Sequence, residues 1–437
     1  MPAHITLRRV ETLYESGKYH ADGENEAGFC APPSRNAECM PPGSAECASA
    51  HQGTLVGLFV RRIRVVRERR MSSVTFLLPG RGTIPVGGFK VVYEYANNLA
   101  RRGWLVRVVH PYLLSPEEIE LTRSSFLKRT RRGLGYNRLR LTGNYRPDKW
   151  FNLCPSVELL CTKTPDARLM PPSDAWVATF WSTAKWVGTY TGAKLYLIQH
   201  LETWAGPETD VLATWKLPLQ KVVISQWLAE VAASLGETAH YIPNGLNFET
   251  FGLDVAPEAR EPHIVAMLYH TSKWKGSADG IHALCQAKTR VPALQALVFG
   301  VYPRPSELPD WIEYYQNPPQ HKLREIYNRA AVFMSPSWSE GWPLPPAEAL
   351  QCGAALAATD IGGHREYARH GETALLSPAK NPEALTANLL RLLEDQELRV
   401  RLAHQGHVNV HQFTWERAVS SFEAVLRNAL GGCDPPA

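Results

Sequence analysis

The sequence predicts an α/β protein built around parallel, doubly wound sheets. Short apolar strands alternate with helical segments from Val74 onward, which is typical of such sheets. Several of these strands run into glycine-rich turns that open a helix, as at 79–88 and 335–353. A polar, Pro-containing stretch near 250–260 divides the alternating region into two halves. Because open parallel sheets bind ligands beyond the carboxyl ends of their strands, the turns are the first place to look for a site.

Composition sets wide bounds on what the chain does. Its 437 residues exceed one ordinary domain, and 44% hydrophobic with 20% charged residues is usual for a globular protein. A net charge of +5 does not demand nucleic acid as a partner. The apolar run at 54–60 is far shorter than the ~20 residues that span a bilayer, and no secretory signal is evident. The eight cysteines form no C-x-x-C pair, so we expect reduced thiols, no metal site and a cytoplasmic location.

Residues 1–70 differ in composition from the rest of the chain. The stretch 21–51 is rich in Pro, Gly, Ser and Ala and is expected to be poorly ordered. It is followed at 55–70 by an apolar patch and six arginines, which suit either an interfacial helix on anionic lipid or a solvated basic segment upstream of the first domain. We favour the second interpretation, so 1–70 is predicted to be a disordered or dispensable extension.

The first half of the alternating region opens with a βαβ unit. A strand at 74–78 leads into the loop 79–88, and a helix at 89–102 precedes the next strand at 104–110. Gly87 and Gly88 lie at the strand-to-helix crossing, where a parallel sheet binds ligands. A glycine-rich loop alone is weak support for a phosphate site.

The segment 115–150 is basic, with apolar residues between the charges. This composition suits either a flap that faces a substrate or a membrane, or the solvated face of a helix. Both interpretations stay open.

Further along, His200 follows the strand 194–199 and Glu202 comes two residues later. A titratable pair at a strand's carboxyl end is well placed for chemistry, but the sequence does not decide which of the two faces a ligand.

Two carboxylates, Glu340 and Glu348, stand on either side of a turn rich in Gly and Pro. The turn joins an apolar strand to a helix, because Pro345 and Pro346 are tolerated in a first helical turn. A helix N-terminus presents free N–H groups and a positive dipole end to phosphate. Since carboxylates accept hydrogen bonds from hydroxyl groups, the arrangement suits a sugar joined to a nucleoside diphosphate.

The E-x7-E spacing of Glu340 and Glu348 resembles the signature of glycosyltransferase family 4. The resemblance implies the GT-B fold, in which two Rossmann-like doubly wound domains face an interdomain cleft. It also implies that Glu340 contacts hydroxyls of the donor sugar and that Glu348 holds the ribose diol. The backbone expected to approach the sugar and phosphates is that of Gly341, Trp342, Pro343 and Leu344.

Shorter segments support the same resemblance. Lys275-Gly276 is similar to the family's R-x4-K-G, whose cations neutralise the diphosphate, but His270 stands at the Arg position, with Lys273 as another candidate for the second cation. The segment 241–251 resembles P-N-G-x-D-x3-F, with Asn247 where the family usually has Asp. By the same resemblance, the loop at Gly87 and Gly88 faces donor phosphate and acceptor, and His200 is the counterpart of a His near the donor sugar.

The resemblance implies an acceptor domain at 71–250, a nucleotide-sugar domain at 251–412, and a terminal segment, 413–437, whose helix crosses back to the first domain. The expected function is retaining transfer of a hexosyl or deoxyhexosyl group to a glycan or lipid-linked glycan, in surface polysaccharide biosynthesis. Lys275, Glu340 and His200 would be catalytic, without metal or tightly bound cofactor. Peripheral association with the inner face of an anionic membrane is left open, as are three rivals: a nucleotide-sugar epimerase, a sugar phosphorylase, and a non-catalytic nucleotide-sugar-binding protein.

Overall fold

The computed structural model describes residues 71–123 and 126–431. The predictions made for 1–70 and for the tail beyond 431 lie outside these residues. The strands are β1 (Ser73–Leu77), β2 (Leu105–Pro111), β3 (Glu158–Thr162), β4 (Ala175–Ala178), β5 (Ala193–Ile198), β6 (Gln220–Val223), β7 (Ala239–Tyr241), β8 (Ile264–Leu268), β9 (Gln295–Gly300), β10 (Ile312–Gln316), β11 (Val332–Ser335), β12 (Ala355–Thr359) and β13 (Leu375–Ser377). The helices are α1 (Gly87–Arg101), α2 (Pro116–Arg123), α3 (Phe126–Thr142), α4 (Trp181–Val187), α5 (Glu208–Trp215), α6 (Gln226–Ser234), α7 (Ser277–Arg290), α8 (Gln320–Arg329), α9 (Leu344–Gln351), α10 (Gly362–Arg365), α11 (Pro382–Glu394), α12 (Gln396–Val410) and α13 (Trp415–Ala429).

The strands form two separate parallel sheets. The first has seven strands in the order β3-β2-β1-β4-β5-β6-β7, and the second has six in the order β10-β9-β8-β11-β12-β13. All the strand pairs within them are parallel. In both sheets the order reverses direction beside the first strand, which is the point where doubly wound sheets bind ligands. The predicted pair of doubly wound sheets is therefore confirmed.

The central strands are buried on both faces. Every residue of β1 and β12 is buried, and α1 covers the first sheet with Val91, Val92 and Leu99. A strand that is covered by helices on both faces of its sheet has a continuous apolar sequence, and for this reason the central strands could be predicted. The shorter strands β7 and β13, and the part-exposed β3, lack such runs and were missed.

The chain passes between the two sheet regions at two neighbouring places. Leu246 and Thr414 form a parallel bridge, and the Leu246 N–H donates to the carbonyl of Phe413 at 2.9 Å. Gly245 must be glycine here, because a Cβ would lie 2.5 Å from the Trp415 backbone nitrogen. After the second passage α13 returns to the first sheet region, where the Phe422 ring lies 4.5 Å from that of Tyr95 on α1.

The basic segment between β2 and β3 folds into α2 and α3. No helix among the described residues has the length and apolar character needed to cross a bilayer.

Candidate active site

A cavity of about 1110 Å³ lies between the carboxyl ends of the two sheets. Its walls come from both halves of the chain, with Gly87 and His200 on one side and Lys275, Glu340 and Glu348 on the other. The sequence predicted these residues on separate grounds, and the fold brings them together. The volume is of the size that small-molecule sites need.

Lys275 and Glu340 form an ion pair at the carboxyl end of the second sheet, where they follow its central strands β8 and β11. The ammonium of Lys275 donates to Oε1 and Oε2 of Glu340 at 2.8 and 2.9 Å, and Ser337 Oγ donates to Oε1 at 2.8 Å. Burial opposes the ionisation of Glu340, but Lys275, with smaller help from His200 and Ser337, leaves the pKa of the carboxyl below its usual value. Glu340 is thus an anion held by a cation, poised to accept hydrogen bonds from hydroxyl groups.

His200 lies beside this pair as a neutral hydrogen-bond donor. The Leu201 N–H donates to its Nδ1 at 2.8 Å, so the ring proton belongs on Nε2, which faces Ser339 Oγ at 3.4 Å. Burial is the main reason that the pKa of His200 falls to about 4, with Lys275 lowering it further and Glu340 opposing. The imidazole is uncharged at neutral pH.

Glu202 points away from the ion pair. Its Oε2 accepts a hydrogen bond from the Trp181 N–H, at the start of α4, at 2.7 Å. Burial raises the pKa of Glu202 well above its usual value, although the Trp181 N–H and Tyr196 oppose this. Its backbone has φ of 38°, a conformation that L-residues adopt at a cost. Of the two residues that the sequence left open, His200 is therefore the one beside Glu340.

The second carboxylate, Glu348, lies on α9 and is held from two sides. Lys90 Nζ approaches Oε1 at 2.7 Å, and the Tyr327 hydroxyl donates to Oε2 at 3.1 Å. Lys90 belongs to α1, so this contact joins the two halves of the chain. The sequence reasoning missed Lys90, because it lies in no motif; its place two residues after Gly88, on a helix that begins at the cleft, was the available signal.

The turn between the two carboxylates presents backbone to the cavity. A Cβ on Gly341 would overlap the carbonyl oxygen of Gln199. The backbones of the two halves of the chain are therefore in direct contact here, and only glycine fits. Trp342 lines the cavity, and its buried ring packs edge-on against Tyr367 and Phe413. Pro343 precedes α9, which begins at Leu344, so the N-terminus of this helix opens at the cavity as predicted.

The sequence offered His270 and Lys273 as the second cation beside Lys275, and the two differ in position and charge. His270 lines the cavity, but burial, with Lys275 adding to it, lowers its pKa to about 4, so it is uncharged at neutral pH. Lys273 is exposed and does not line the cavity. Gly87 and Gly88 line it at the start of α1, where a Cβ on Gly88 would lie 3.3 Å from the Gln199 amide.

Two tryptophans meet across the cleft near Lys275. The rings of Trp204 and Trp274 stack at 5.1 Å, and the Trp204 ring lies edge-on to His200 at 4.3 Å. Both line the cavity and were not singled out from the sequence. They close one side of the space in front of His200 with aromatic surface.

The second half of the chain matches a known family. Residues 255–408 match the family of glycosyl transferases group 1. A D-inositol 3-phosphate glycosyltransferase of Corynebacterium efficiens is 26% identical over 187 residues, which cover 39% of this chain and 44% of that protein. The chain thus aligns with less than half the length of this relative.

Solved structures extend the likeness to both halves. Sucrose-phosphate synthase of Thermosynechococcus elongatus superposes with a TM-score of 0.64 at 18% identity, over 82% of this chain and 99% of that one. Anabaena HepE, solved with UDP and glucose, gives 0.61 at 15% identity over 82% of this chain and 100% of that one. At such identities the likeness concerns the fold. Residues 255–408 are thus similar to the group 1 glycosyl transferases, and the chain has the GT-B fold of these two solved structures, with two parallel doubly wound sheets.

Proposed function

We propose that this protein is a retaining glycosyltransferase that moves a hexosyl or deoxyhexosyl group from a nucleoside-diphosphate sugar to a glycan or lipid-linked glycan. We further propose that the product belongs to surface polysaccharide biosynthesis. The observation that carries the proposal is the contact of Lys275 with Glu340 in a large cleft, beside His200 and the N-terminus of α9.

The chemistry of this cluster supports transfer from a diphosphate leaving group. Departure of a nucleoside diphosphate builds negative charge, which needs preorganised cations and N–H donors. Lys275 supplies the charge and the start of α9 supplies N–H groups, while Glu340 and the Nε2–H of His200 can bind sugar hydroxyls. The leaving phosphate oxygen would take the proton of the acceptor hydroxyl, which attacks from the same face, with no covalent enzyme intermediate.

The donor half of the proposal also draws on a structural neighbour. The HepE structure is a complex with UDP and glucose, which are the two parts of a nucleotide sugar. In this chain Glu348 would hold the ribose diol, and the loop around 316–319, between β10 and α8, would lie against the base. The donor sugar and the base are left to experiment.

A transfer assay separates this proposal from its rivals. The protein is incubated with UDP, GDP, dTDP and ADP sugars, and release of the nucleoside diphosphate is measured with and without glycan acceptors. A transferase forms a glycosylated acceptor whose new bond keeps the donor's anomeric configuration by ¹H NMR. A changed sugar on the nucleotide without any acceptor would indicate an epimerase. Formation of a sugar 1-phosphate from a glycan and phosphate, without a nucleotide sugar, would indicate a phosphorylase. Binding of the nucleotide sugar without turnover would indicate a non-catalytic protein.

The surface of α3 supports a peripheral membrane location as part of the same proposal. Leu127, Leu134 and Leu141 recur every seven residues and are 78%, 67% and 80% exposed, and Phe126 is 72% exposed. On the opposite side of the helix Leu139 is buried. An apolar stripe that faces solvent, on a helix rich in arginine, suits the boundary between headgroups and acyl chains of an anionic bilayer. The acceptor would then be lipid-linked.

Vesicle sedimentation tests this location. The protein is expected to bind vesicles containing about 30% phosphatidylglycerol and to stay in solution with pure phosphatidylcholine, since basic residues near a surface favour anionic lipid. The variant Leu127→Ser/Leu134→Ser/Leu141→Ser should lose this binding and keep transfer to a soluble acceptor. Residues 1–70 also contain a basic segment, so both proteins are compared with and without them. Equal binding by the triple variant and the parent lacking 1–70 would refute the role of α3.

A further inference from the structure

An ion pair crosses the cleft beside the first passage between the two halves of the chain. Lys90 Nζ, on α1, lies 2.7 Å from Glu348 Oε1, on α9, and the two side chains are 18% and 7% exposed. The same ammonium lies 5.3 Å from the centre of the Phe251 ring, in the connection between β7 and β8. Lys90 therefore contacts the second half of the chain at a place where the halves are joined.

The two acidic residues of the site obtain their cations from different sources. Glu340 pairs with Lys275 of its own half, but Glu348 pairs with Lys90 of the other half. A buried carboxylate without a partner is destabilising, because no ion pair or hydrogen bond replaces the hydration that it has lost. If α1 moved away from α9, the buried Glu348 carboxylate would lose its cation and keep only the Tyr327 hydroxyl as a partner.

The pairing also fixes how Glu348 faces the cavity. Lys90 binds Oε1 and the Tyr327 hydroxyl binds Oε2 at 3.1 Å, so the carboxylate is held from both ends. Each carboxylate oxygen has about two lone-pair sites, so each oxygen can accept a further hydrogen bond. Both Glu348 and Lys90 line the cavity, where a hydroxyl pair can reach them.

From this arrangement we propose that Lys90 is a positioning residue for the nucleotide. It holds the Glu348 carboxylate toward the ribose hydroxyls and makes the nucleotide site complete only when the two halves are closed. The inference rests on the proposed function, in which Glu348 binds the ribose diol. It assigns the first half of the chain a part in donor binding that acts through Glu348.

Calorimetric titration of UDP, GDP, dTDP and ADP tests the inference. The nucleotide that binds the wild-type chain is then titrated into Lys90→Met, Lys90→Arg, Glu348→Gln and the double variant Lys90→Met/Glu348→Gln. Arg101→Met serves as the control, since Arg101 is exposed at the far end of the same helix. Thermal unfolding of each variant shows whether it is folded at the titration temperature.

Lys90→Met is expected to weaken nucleotide binding about 10- to 100-fold, as when one partner of a buried ion pair is removed. Lys90→Arg should recover part of the affinity, and the double variant should bind no more weakly than the weaker single variant, because the two residues act as one unit. In turnover, Lys90→Met should raise the donor KM much more than it lowers kcat. Arg101→Met should bind like the wild type.

Three results would overturn the inference. Wild-type affinity in folded Lys90→Met would show that Glu348 needs no help from α1. Effects of the two single variants that simply add would show that Lys90 acts apart from Glu348. If none of the four nucleotides binds the wild-type chain, the proposed function fails, and this inference fails with it.

Discussion

The ammonium of Lys275 lies 2.8 and 2.9 Å from the two carboxylate oxygens of Glu340, so the expected diphosphate-binding cation and the expected sugar-binding anion hold each other. Each residue lowers the cost of burying the other. By the proposed function, a donor would bring a diphosphate to Lys275 and hydroxyl groups to Glu340, so neither charge would be left unpaired when the donor binds.

Removing either member of this pair should abolish transfer. We expect Glu340→Ala and Lys275→Ala to lower kcat about 100- to 1000-fold, the usual loss when one preorganised electrostatic group is deleted. Circular dichroism should show that both remain folded. As a matched control, Arg369→Ala and Glu372→Ala remove an exposed Arg–Glu pair of the same half and should leave kcat unchanged. Near-normal turnover in either site variant would refute its assigned role.

His200 should act as a neutral donor throughout the physiological range. Because the pKa of His200 is lowered to about 4, kcat should show no ionisation near pH 6.5 that depends on this residue. The check is a kcat–pH profile from pH 5.5 to 8.5 for the wild type and His200→Gln. A step near pH 6.5 in the wild type that disappears in the variant would mean that His200 titrates as an exposed imidazole.

Gly341→Ala should force the two halves of the chain apart. Its Cβ would overlap the Gln199 carbonyl, which is backbone and cannot turn away. We expect kcat/KM to fall about 100-fold or more, because small misplacements of reacting groups cost that much. Small-angle scattering should report a larger radius of gyration. Gly133→Ala, which meets no atom within 4 Å, is the control, and equal behaviour of the two variants would contradict the close contact.

The protein should lose stability as the pH falls from 7 to 5. Burial lowers the pKa of His110 and His364 to about 4, against about 6.5 when unfolded, so the unfolded chain binds more protons in this window. Each contributes stability that is present above pH 6.5 and lost on acidification, about 2 kcal/mol per residue by pH 5. Urea unfolding at both pH values measures it, and His364→Asn should reduce the pH dependence. An unchanged pH dependence in folded His364→Asn would contradict the assignment for His364.

Transfer should not depend on a divalent metal. Lys275 and the start of α9 can supply the charge and N–H groups that a leaving diphosphate needs. We expect kcat to stay within about twofold after dialysis against EDTA, a negligible change on the scale of catalytic effects. Loss of activity that Mg²⁺ or Mn²⁺ restores would overturn this expectation.

The sequence predicted the residues whose role follows from local pattern. Glu340, Glu348 and Lys275 stand in short motifs, and the turn before α9 follows from the placement of Gly and Pro, so this side of the cavity could be predicted from the sequence. Lys90 could not be predicted in this way, because its proposed role depends on Glu348, which is 258 positions away in the sequence. The stack of Trp204 on Trp274 depends in the same way on how the two halves close. Distinguishing His200 from Glu202 required the three-dimensional fold, since both follow the same strand.

The most direct test of the account is a thermal-shift comparison of the wild type with Lys275→Ala, using UDP, GDP, dTDP and ADP and their sugars. Ligands that bind only the folded protein stabilise it by mass action. We predict that one nucleotide, with its sugars, raises the Tm of the wild type by several degrees, roughly 1–2 °C for each kcal/mol of binding linkage in a protein of this size, and leaves Lys275→Ala nearly unshifted. No shift of the wild type by any of them, or an equal shift of both proteins, would contradict a diphosphate site at Lys275.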